Sequence, residues 1–219
     1  MPYRLYTYFR SSASYRVRIA LSYKQIDYTP IGIHLRKLEH RTPEYLAANP
    51  QGLVPTLEHD GARFTQSLAI IEYLNELVAE PPLLPAAPNE RAIVRAMAQA
   101  IACDTHPLCN LRVLQYLRNE LALDEEQIGG WYKHWVAQGL EGLEGLVAQH
   151  GTAGAGYCFG NGVTLADVCL VPQLHNARRF DCDLAPYPML VAIDDTLRAH
   201  PAFLAAQPDA DENPSASAG

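Results

Sequence analysis

The chain has 219 residues, 48% of them hydrophobic and 19% charged, which is the composition of a globular protein with a substantial buried core. Its formal net charge of −7 gives a nucleic-acid partner no electrostatic support, although a few clustered arginines could still bind a small anion. An odd number of cysteines, a start unlike a signal peptide and no apolar run near the ~20 residues of a bilayer span predict a cytoplasmic protein without a membrane segment.

The first predicted elements are a strand and a helix. Aromatic and aliphatic side chains over residues 3–8 predict the strand. The small hydroxyl residues of the run Ser11–Ser14 can then cap a helix. From Val17 onward apolar residues recur at i, i+3 and i+4, with Arg16 and Arg18 between them, which predicts an amphipathic helix of about three turns.

A second strand, a short helix and a hairpin follow. Residues 28–35 predict the strand, and Pro30 within it favours a position at the sheet edge. Thr42 followed by proline predicts the start of the short helix, which should end near Asn49. The pair Asp60-Gly61 between two apolar segments is a strong signal for a β-hairpin.

The order of elements predicts an α/β half followed by an all-helical half. Gln66-Ser67 opens a helix that completes the first half, and a proline-rich stretch comes next. Beyond that stretch the strand signals stop, and the predicted helices cover residues 90–118, 125–149, 165–180 and 188–206. The predicted organisation is a domain of residues 1–81, a linker of 82–88, a helical domain of 89–207 and a flexible tail of 208–219.

Three segments of the first half could bind an anion or an extended ligand. The hydroxyl-rich run could stabilise a thiolate, because helix N-termini present N–H groups and positive charge, but any thiol would have to arrive with a ligand since the run contains no cysteine. If Pro55 is cis, Val54 could offer its backbone for strand addition, and Ser67 at a second helix start suits a carboxylate. From the residues alone, ordinary helix caps and a trans proline in a turn are the favoured explanations of the same segments.

Metal ligation is not expected. Five cysteines and eight histidines are present, but none of them shows the C-x-x-C or H-E-x-x-H spacing of a metal site. The odd number of cysteines also argues against a disulfide framework.

The residues of the three segments resemble the zeta class of glutathione transferases. Residues 11–21 read S-S-A-S-Y-R-V-R-I-A-L and resemble the class motif S-S-C-S-W-R-V-R-I-A-L. Residues 54–57 (V-P-T-L) and 66–70 (Q-S-L-A-I) resemble two further blocks of the class. In the helical half, residues 107–114 (P-L-C-N-L-R-V-L) and 164–167 (T-L-A-D) are similar to blocks of the same class.

The resemblance, which covers roughly residues 3–205, implies a fold and a cofactor. The implied fold is an N-terminal thioredoxin-like domain that binds glutathione, followed by an all-helical glutathione-transferase C-terminal domain that binds the substrate. Val54, ahead of a cis Pro55, would pair with the cysteinyl unit of glutathione. Gln66 and Ser67 would hold the γ-glutamyl end. The resemblance also implies a homodimer and cofactor contacts from Ser14, His40, His106 and Asn110.

The implied catalytic residues lie around the first helix start and on the helical half. Ser12, or Ser11 beside it, would face the glutathione thiol; because the class usually has cysteine at the position of Ala13, activation here must rest on the serines, the helix N-terminus and Arg10. A maleyl substrate carries two carboxylates, which arginine binds bidentately. The implied catalytic set is Ser12, Ser11, Arg10 and Arg179. The implied substrate-binding set is Arg10, Arg112, Arg178 and Arg179, although each arginine also fits a solvated surface charge.

The predicted function is the glutathione-dependent cis–trans isomerisation of a maleyl dicarboxylate, maleylpyruvate or maleylacetoacetate, to its fumaryl isomer in aromatic-compound catabolism. Addition of a thiolate makes the double bond single, rotation follows, and elimination restores the thiol. One alternative is a general glutathione transferase that conjugates or dehalogenates small electrophiles. Another is an interaction module of the same fold with an inactive site.

Overall fold

The computed structural model describes residues 2–152 and 154–208. Within these residues the chain forms two compact units, one that runs to Pro81 and takes up the chain again from His200, and one from Pro82 to Ala199. The predicted flexible tail lies almost entirely outside the described residues.

The strands all lie in the first unit, whereas helices occur in both. The strands are β1 (Tyr3–Thr7), β2 (Tyr28–Gly32), β3 (Thr56–His59) and β4 (Ala62–Thr65). The helices are α1 (Ser12–Tyr23), α2 (Pro43–Ala48), α3 (Ser67–Leu77), α4 (Pro88–Gln99), α5 (His106–Cys109), α6 (Leu111–Asn119), α7 (Glu125–His150), α8 (Leu165–Arg179), α9 (Pro188–Arg198) and α10 (Pro201–Ala205).

The four strands form one mixed sheet in the order β2-β1-β3-β4. β1 is parallel to β2 and antiparallel to β3, and β3 is antiparallel to β4. Pro30 lies on the edge strand β2, which confirms the prediction. Asp60 and Gly61 both have positive φ, 50° and 79°, which confirms the predicted tight hairpin.

The helix α1 packs against α3 and α10 and is buried on nearly all sides. The prediction of an amphipathic helix is therefore wrong in one respect, because Arg16 and Arg18 are also buried, at 1% and 9% exposure. Arg18 explains part of this burial: its guanidinium donates to the Thr7 hydroxyl and to the Ala206 carbonyl, 3.3 and 3.1 Å away. Buried guanidinium groups need such acceptors to offset their desolvation.

Two of the four helices predicted for the second half are interrupted. The helix predicted over 90–118 becomes α4, a π-helical stretch Ala100–Thr105, α5 and α6. Pro107 lacks the N–H that a continuous helix would use, and Asn110 adopts an extended conformation and accepts a hydrogen bond from Val113 N at 3.2 Å. The helix predicted over 188–206 likewise ends at α9, because His200 is extended ahead of Pro201.

The second unit is built around α8, which is buried along most of its length. At its start Asp167 accepts hydrogen bonds from the backbone N–H and the hydroxyl of Thr164, both at 2.7 Å, as the T-L-A-D block predicts. The linker is anchored to the same place, since the Leu83 carbonyl accepts from Leu165 N at 2.8 Å. None of the described helices is long and apolar enough to cross a membrane.

Candidate active site

The sheet register brings the three predicted ligand-binding segments of the first unit to the same end of strands β1, β3 and β4. Tyr6 on β1 pairs with Thr56 on β3, and Thr56 pairs with Thr65 on β4. Pro55 directly precedes Thr56, and Gln66 directly follows Thr65. β1 ends at Thr7, and the turn that leads to Ser11 begins at the next residue. The geometry of a small sheet therefore places two helix N-termini and one extended segment side by side.

The first segment is the capped start of α1. The Ser11 hydroxyl accepts a hydrogen bond from Ser14 N at 3.2 Å, so its own proton remains available to an acceptor. Ser11 is half-buried, whereas Ser12 is only 4% exposed. Ser14 is fully buried, and its hydroxyl makes no hydrogen bond within the described part of the chain. Of the three predicted serines, Ser11 is therefore the most accessible to a ligand.

Arg10 lies just ahead of this helix start and is exposed. Its guanidinium carbon stands 5.1 Å from the centre of the Phe9 ring, within the range of a cation–π contact. The side chain therefore lies near the start of α1, where its exposed hydrogen-bond donors are available for an anion.

The second segment contains the cis peptide bond between Val54 and Pro55, as the resemblance implies. It is fixed from behind, because the Leu53 carbonyl accepts from the Tyr45 hydroxyl at 2.6 Å and from Asn49 Nδ2 at 2.8 Å. Val54 itself is half-buried, and among the described residues its backbone makes no hydrogen bond. Its N–H and C=O could therefore pair with an extended peptide.

The third segment is the start of α3. Gln66 has a φ of +69°, which is rare for a residue with a side chain and recurs at functional sites, and its side chain does not cap the helix. Gln66 Nε2 instead donates to Gln51 Oε1 at 2.9 Å. Ser67 is buried, and its hydroxyl accepts from Arg16 Nη1 at 3.2 Å. The helix N-terminus thus remains without a side-chain cap and suits an anion.

His40 lies in a short 3₁₀ turn, Glu39–Arg41, and is buried. Burial, and to a lesser degree the charge of Arg41, lowers the pKa of His40. The ring is therefore neutral at pH 7 and could contact a carboxylate only through an N–H group, not through a positive charge. Its Nδ1 atom has no hydrogen-bond partner within the described residues.

In the second unit, two groups of predicted residues meet at Tyr132 of α7. Cys109, which directly precedes Asn110, lies with its sulfur 3.9 Å from the Tyr132 carbonyl oxygen. Phe180, which directly follows Arg179, stacks on the Tyr132 ring with the centroids 3.9 Å apart. The segment that carries His106 and Asn110 and the segment that carries the arginine pair therefore each contact Tyr132, through its carbonyl oxygen and its ring respectively.

The arginines of this unit differ in their surroundings. Arg112 and Arg179 are exposed, and Arg179 Nη1 donates to Asn176 Oδ1 at 3.0 Å. Arg178 is half-buried and forms an ion pair of 2.6 Å with the fully buried Asp194. Burial raises the pKa of Asp194, and the charge of Arg178 opposes this. Arg178 thus has a structural partner that the sequence did not predict, which leaves fewer of its donors for a substrate.

All five cysteines lie within the described residues, and none of them forms a disulfide bond. Burial is the main cause that raises the pKa of the Cys109 thiol to about 12 and also raises the pKa of Cys158 and Cys182. These three thiols are therefore protonated at neutral pH and are poor nucleophiles. Among the described residues no cluster of histidine, cysteine and carboxylate side chains could hold a metal ion.

Sequence analysis missed two residues that contact the predicted site, Arg16 and Gln51. The sequence predicts that Arg16 is a charged residue on the exposed face of an amphipathic helix. Only the apolar residues on both sides of it could have suggested that its side chain is buried. The role of Gln51 could not be predicted, because it depends on a hydrogen bond from Gln66, which lies 15 residues further along the chain. The positive φ of Gln66 also has no signal in the sequence.

Comparison with known proteins identifies the family to which this chain belongs. The family model described as "Glutathione S-transferase, N-terminal domain" matches residues 5–82. Maleylacetoacetate isomerase of Rhizobium meliloti is 49% identical over 205 residues, which cover 94% of this chain and 95% of that protein.

Two solved structures extend the similarity to the whole fold. A holo structure of maleyl pyruvate isomerase, a bacterial zeta-class glutathione S-transferase, is 43% identical with a TM-score of 0.92, covering 96% of this chain and 99% of that one. Maleylacetoacetate isomerase from Anaeromyxobacter dehalogenans, solved with bound dicarboxyethyl glutathione and citrate in the active site, is 38% identical with a TM-score of 0.84, covering 97% of each chain. This chain therefore belongs to the glutathione S-transferase family, within its zeta class.

Proposed function

We propose that this chain catalyses the glutathione-dependent cis–trans isomerisation of a maleyl dicarboxylate, such as maleylpyruvate or maleylacetoacetate, to its fumaryl isomer. The observation that carries the proposal is similarity over nearly the whole length to isomerases of both kinds. The relative with dicarboxyethyl glutathione in its active site supports the chemistry, because a bond between the glutathione sulfur and a maleyl carbon yields a group of this type.

The first unit offers three sites that fit parts of glutathione. The Val54 backbone can pair with the cysteinyl unit, and the uncapped N-terminus of α3 with Ser67 can bind the γ-glutamyl carboxylate. When bound, glutathione supplies the thiolate that adds to the double bond and leaves again once the resulting single bond has rotated. Ser11, with Ser12 as the alternative, would donate its hydroxyl proton to the sulfur and lower the pKa of the thiol.

The absence of the class cysteine matters for this mechanism. Ala13 occupies its position, so the thiolate must be stabilised by the N–H groups of the first turn of α1, the serine hydroxyl and the charge of Arg10. Stabilisation of developing charge by preorganised donors of this kind requires no protein thiol.

The arginines would bind the two carboxylates of the substrate. Arg10, Arg112 and Arg179 are exposed and can present the planar donor fork that matches a carboxylate. Arg178 would contribute less directly, because one of its terminal nitrogens already binds Asp194. Contacts of Ser14, His40, His106 and Asn110 with glutathione stay predictions; the full burial of Ser14 and the capping role of Asn110 give them the weakest support.

The test is an assay of both maleyl acids side by side. Ultraviolet absorbance of the acid should disappear only when the enzyme, glutathione and a fumaryl hydrolase are all supplied. Turnover of chlorodinitrobenzene with neither acid as a substrate would favour the general transferase instead. Failure of the protein to bind immobilised glutathione would contradict both enzymatic interpretations.

We further propose the organisation that the resemblance implies. Residues 1–81 would form the glutathione-binding domain and 89–207 the substrate-binding domain, joined by 82–88, with the described residues from His200 onward belonging to the same compact unit as the sheet. Two chains would form a homodimer, and the protein would act in the cytoplasm. Light scattering after size-exclusion chromatography tests the dimer, and the mass of a single 24.2 kDa chain would contradict it.

A further inference from the structure

Among the described residues, Arg16 is the largest side chain that is almost completely buried. Burying a guanidinium group is costly unless acceptors and negative charge compensate it, so its place on α1 calls for an explanation. Its Nη1 atom donates to the Ser67 hydroxyl at 3.2 Å, and this bond links the helix that starts at the thiol site to the helix that starts at the carboxylate site.

The bond fixes the direction of the Ser67 hydroxyl proton. A serine hydroxyl has one proton to donate and two lone pairs, and a guanidinium group has donors but no acceptor. Because Ser67 accepts from Arg16, its own proton must point away from Arg16. Ser67 is the first residue of α3, where no side chain of the described residues caps the helix. The hydroxyl and the N–H groups of the first turn can therefore converge on one anion.

The charge of Arg16 also favours an anion at the start of α3. The side chain is 1% exposed, so solvent screens its charge far less than it would at the surface. A positive charge immediately behind Ser67 adds to the positive end of the α3 dipole and favours a carboxylate in front of it.

We propose that Arg16 is a positioning residue for glutathione: it orients the Ser67 hydroxyl toward the γ-glutamyl carboxylate and stabilises that carboxylate from behind without touching it. The inference rests on the proposed function and on the proposed role of Ser67. Arg16 would then contribute to cofactor binding and not to the chemical step. Removal of its side chain should therefore raise the KM for glutathione, while kcat at saturating glutathione stays within about twofold of the wild-type value.

Arg18 provides the matched control. It belongs to the same helix and is also buried, but its donors go to Thr7, Phe9 and Ala206. Arg18→Met therefore removes a second buried guanidinium group without touching the Ser67 contact. A loss caused only by general destabilisation of α1 would appear in both variants.

The test compares two ligands by calorimetry: glutathione and γ-aminobutyryl-cysteinyl-glycine, which lacks the carboxylate in question. Arg16→Met should weaken glutathione binding about 10- to 100-fold, the range of a hydrogen bond to a charged group, and weaken the analogue much less. Ser67→Ala should show the same discrimination, and the double variant should lose little more than either single one. Arg16→Lys, which keeps the charge, should recover part of the loss.

Several results would overturn the inference. These are an equal loss for both ligands, additive losses in the double variant, or the same discrimination in Arg18→Met. If Arg16→Met does not fold, Arg16→Lys is the deciding variant. It must bind glutathione more weakly than the wild type does and bind the analogue with unchanged affinity. If the wild type isomerises maleyl acids but Arg16 variants bind glutathione normally, the inference alone fails; if the wild type neither binds glutathione nor isomerises, the proposed function fails.

Discussion

Ser11 and Ser12 are neighbours in the sequence, yet their hydroxyls have different surroundings. Ser11 caps α1 through an accepted bond and is half-buried, whereas Ser12 is almost fully buried. The resemblance leaves open which of them faces the thiol. The structure favours Ser11, because a hydroxyl that already accepts a hydrogen bond can still donate one to a thiolate.

This difference can be measured on bound glutathione. Ser11→Ala should raise the pKa of the bound thiol by about one unit, because a donor to the thiolate is lost, and Ser12→Ala should raise it less. Thiolate absorbance in the ultraviolet as a function of pH gives both values. A larger shift for Ser12→Ala would assign the role to Ser12, and no shift in either would assign it to the backbone.

His40 predicts a pH dependence of stability. Burial, with a smaller contribution from Arg41, lowers its pKa below the ordinary value of 6.5, so between the two pKa values the unfolded chain binds the proton more readily than the folded chain. The contribution of this residue to stability is therefore complete above pH 6.5 and is lost as the pH falls through the lower, folded-state value.

Denaturant unfolding at several pH values between neutral and mildly acidic measures the effect. His40→Gln should be less sensitive to acidification than the wild type, because the titrating group is gone. His134→Gln, at an exposed position, controls for the substitution itself and should follow the wild type. Identical profiles for all three proteins would contradict the assignment.

At the scale of elements, the sequence predicted those parts of the fold that local signals encode. The hairpin at Asp60-Gly61 and the edge position of Pro30 follow from backbone preferences that a short segment determines by itself. The breaks near Asn110 and His200 were missed, although Pro107 and Pro201 beside them are local signals that disfavour a continuous helix.

The site shows the same division. The hydroxyl-rich turn and Gln66-Ser67 were found, since helix starts have recognisable residues. The bonds from Arg16 to Ser67 and from Arg178 to Asp194 were not found, because each joins residues far apart in the sequence. Contacts of that kind depend on packing, which no local pattern reports.

The π-helical stretch Ala100–Thr105 packs closely against α7. Gly139 of α7 faces Thr105 at the end of that stretch, and a Cβ atom at Gly139 would overlap the Thr105 side chain. Gly139→Ala should therefore destabilise the protein by about 1–3 kcal/mol despite its better helix propensity.

Gly142, one turn further along α7, has open space around it and provides the control. Gly142→Ala should stabilise the protein by about 0.5–1 kcal/mol, the usual gain for glycine to alanine within a helix. Urea unfolding of both variants measures the difference. Stabilisation by both substitutions would mean that α7 and the π-helical stretch are not in close contact.

At the scale of the whole molecule, the C-terminal segment belongs to the same compact unit as the sheet. α10 packs on α1, with Phe203 fully buried, its carbonyl 3.5 Å from the Tyr15 hydroxyl, and with the Ala206 carbonyl bound by Arg18. The two units are therefore not consecutive in the sequence, since the chain leaves the first unit and returns to it.

Phe203→Ala should cost about 3–5 kcal/mol, the usual range for emptying a large aromatic site in a core, and should raise amide exchange in α1. Leu204→Ala, at a side chain that is 51% exposed, is the control and should change stability by no more than about 0.5 kcal/mol. Hydrogen exchange read by mass spectrometry checks both. Unchanged exchange in α1 of the Phe203 variant would contradict the assignment of α10 to this unit.

We expect glutathione to act as a cofactor, because its sulfur adds to the substrate and is released again in every turnover. The most direct measurement follows fumaryl product and free thiol together during isomerisation, with glutathione and, separately, with S-methylglutathione. We expect many product molecules for each glutathione, a constant thiol concentration, and no product with the methylated compound. Thiol loss equal to substrate loss, or isomerisation with S-methylglutathione, would contradict it.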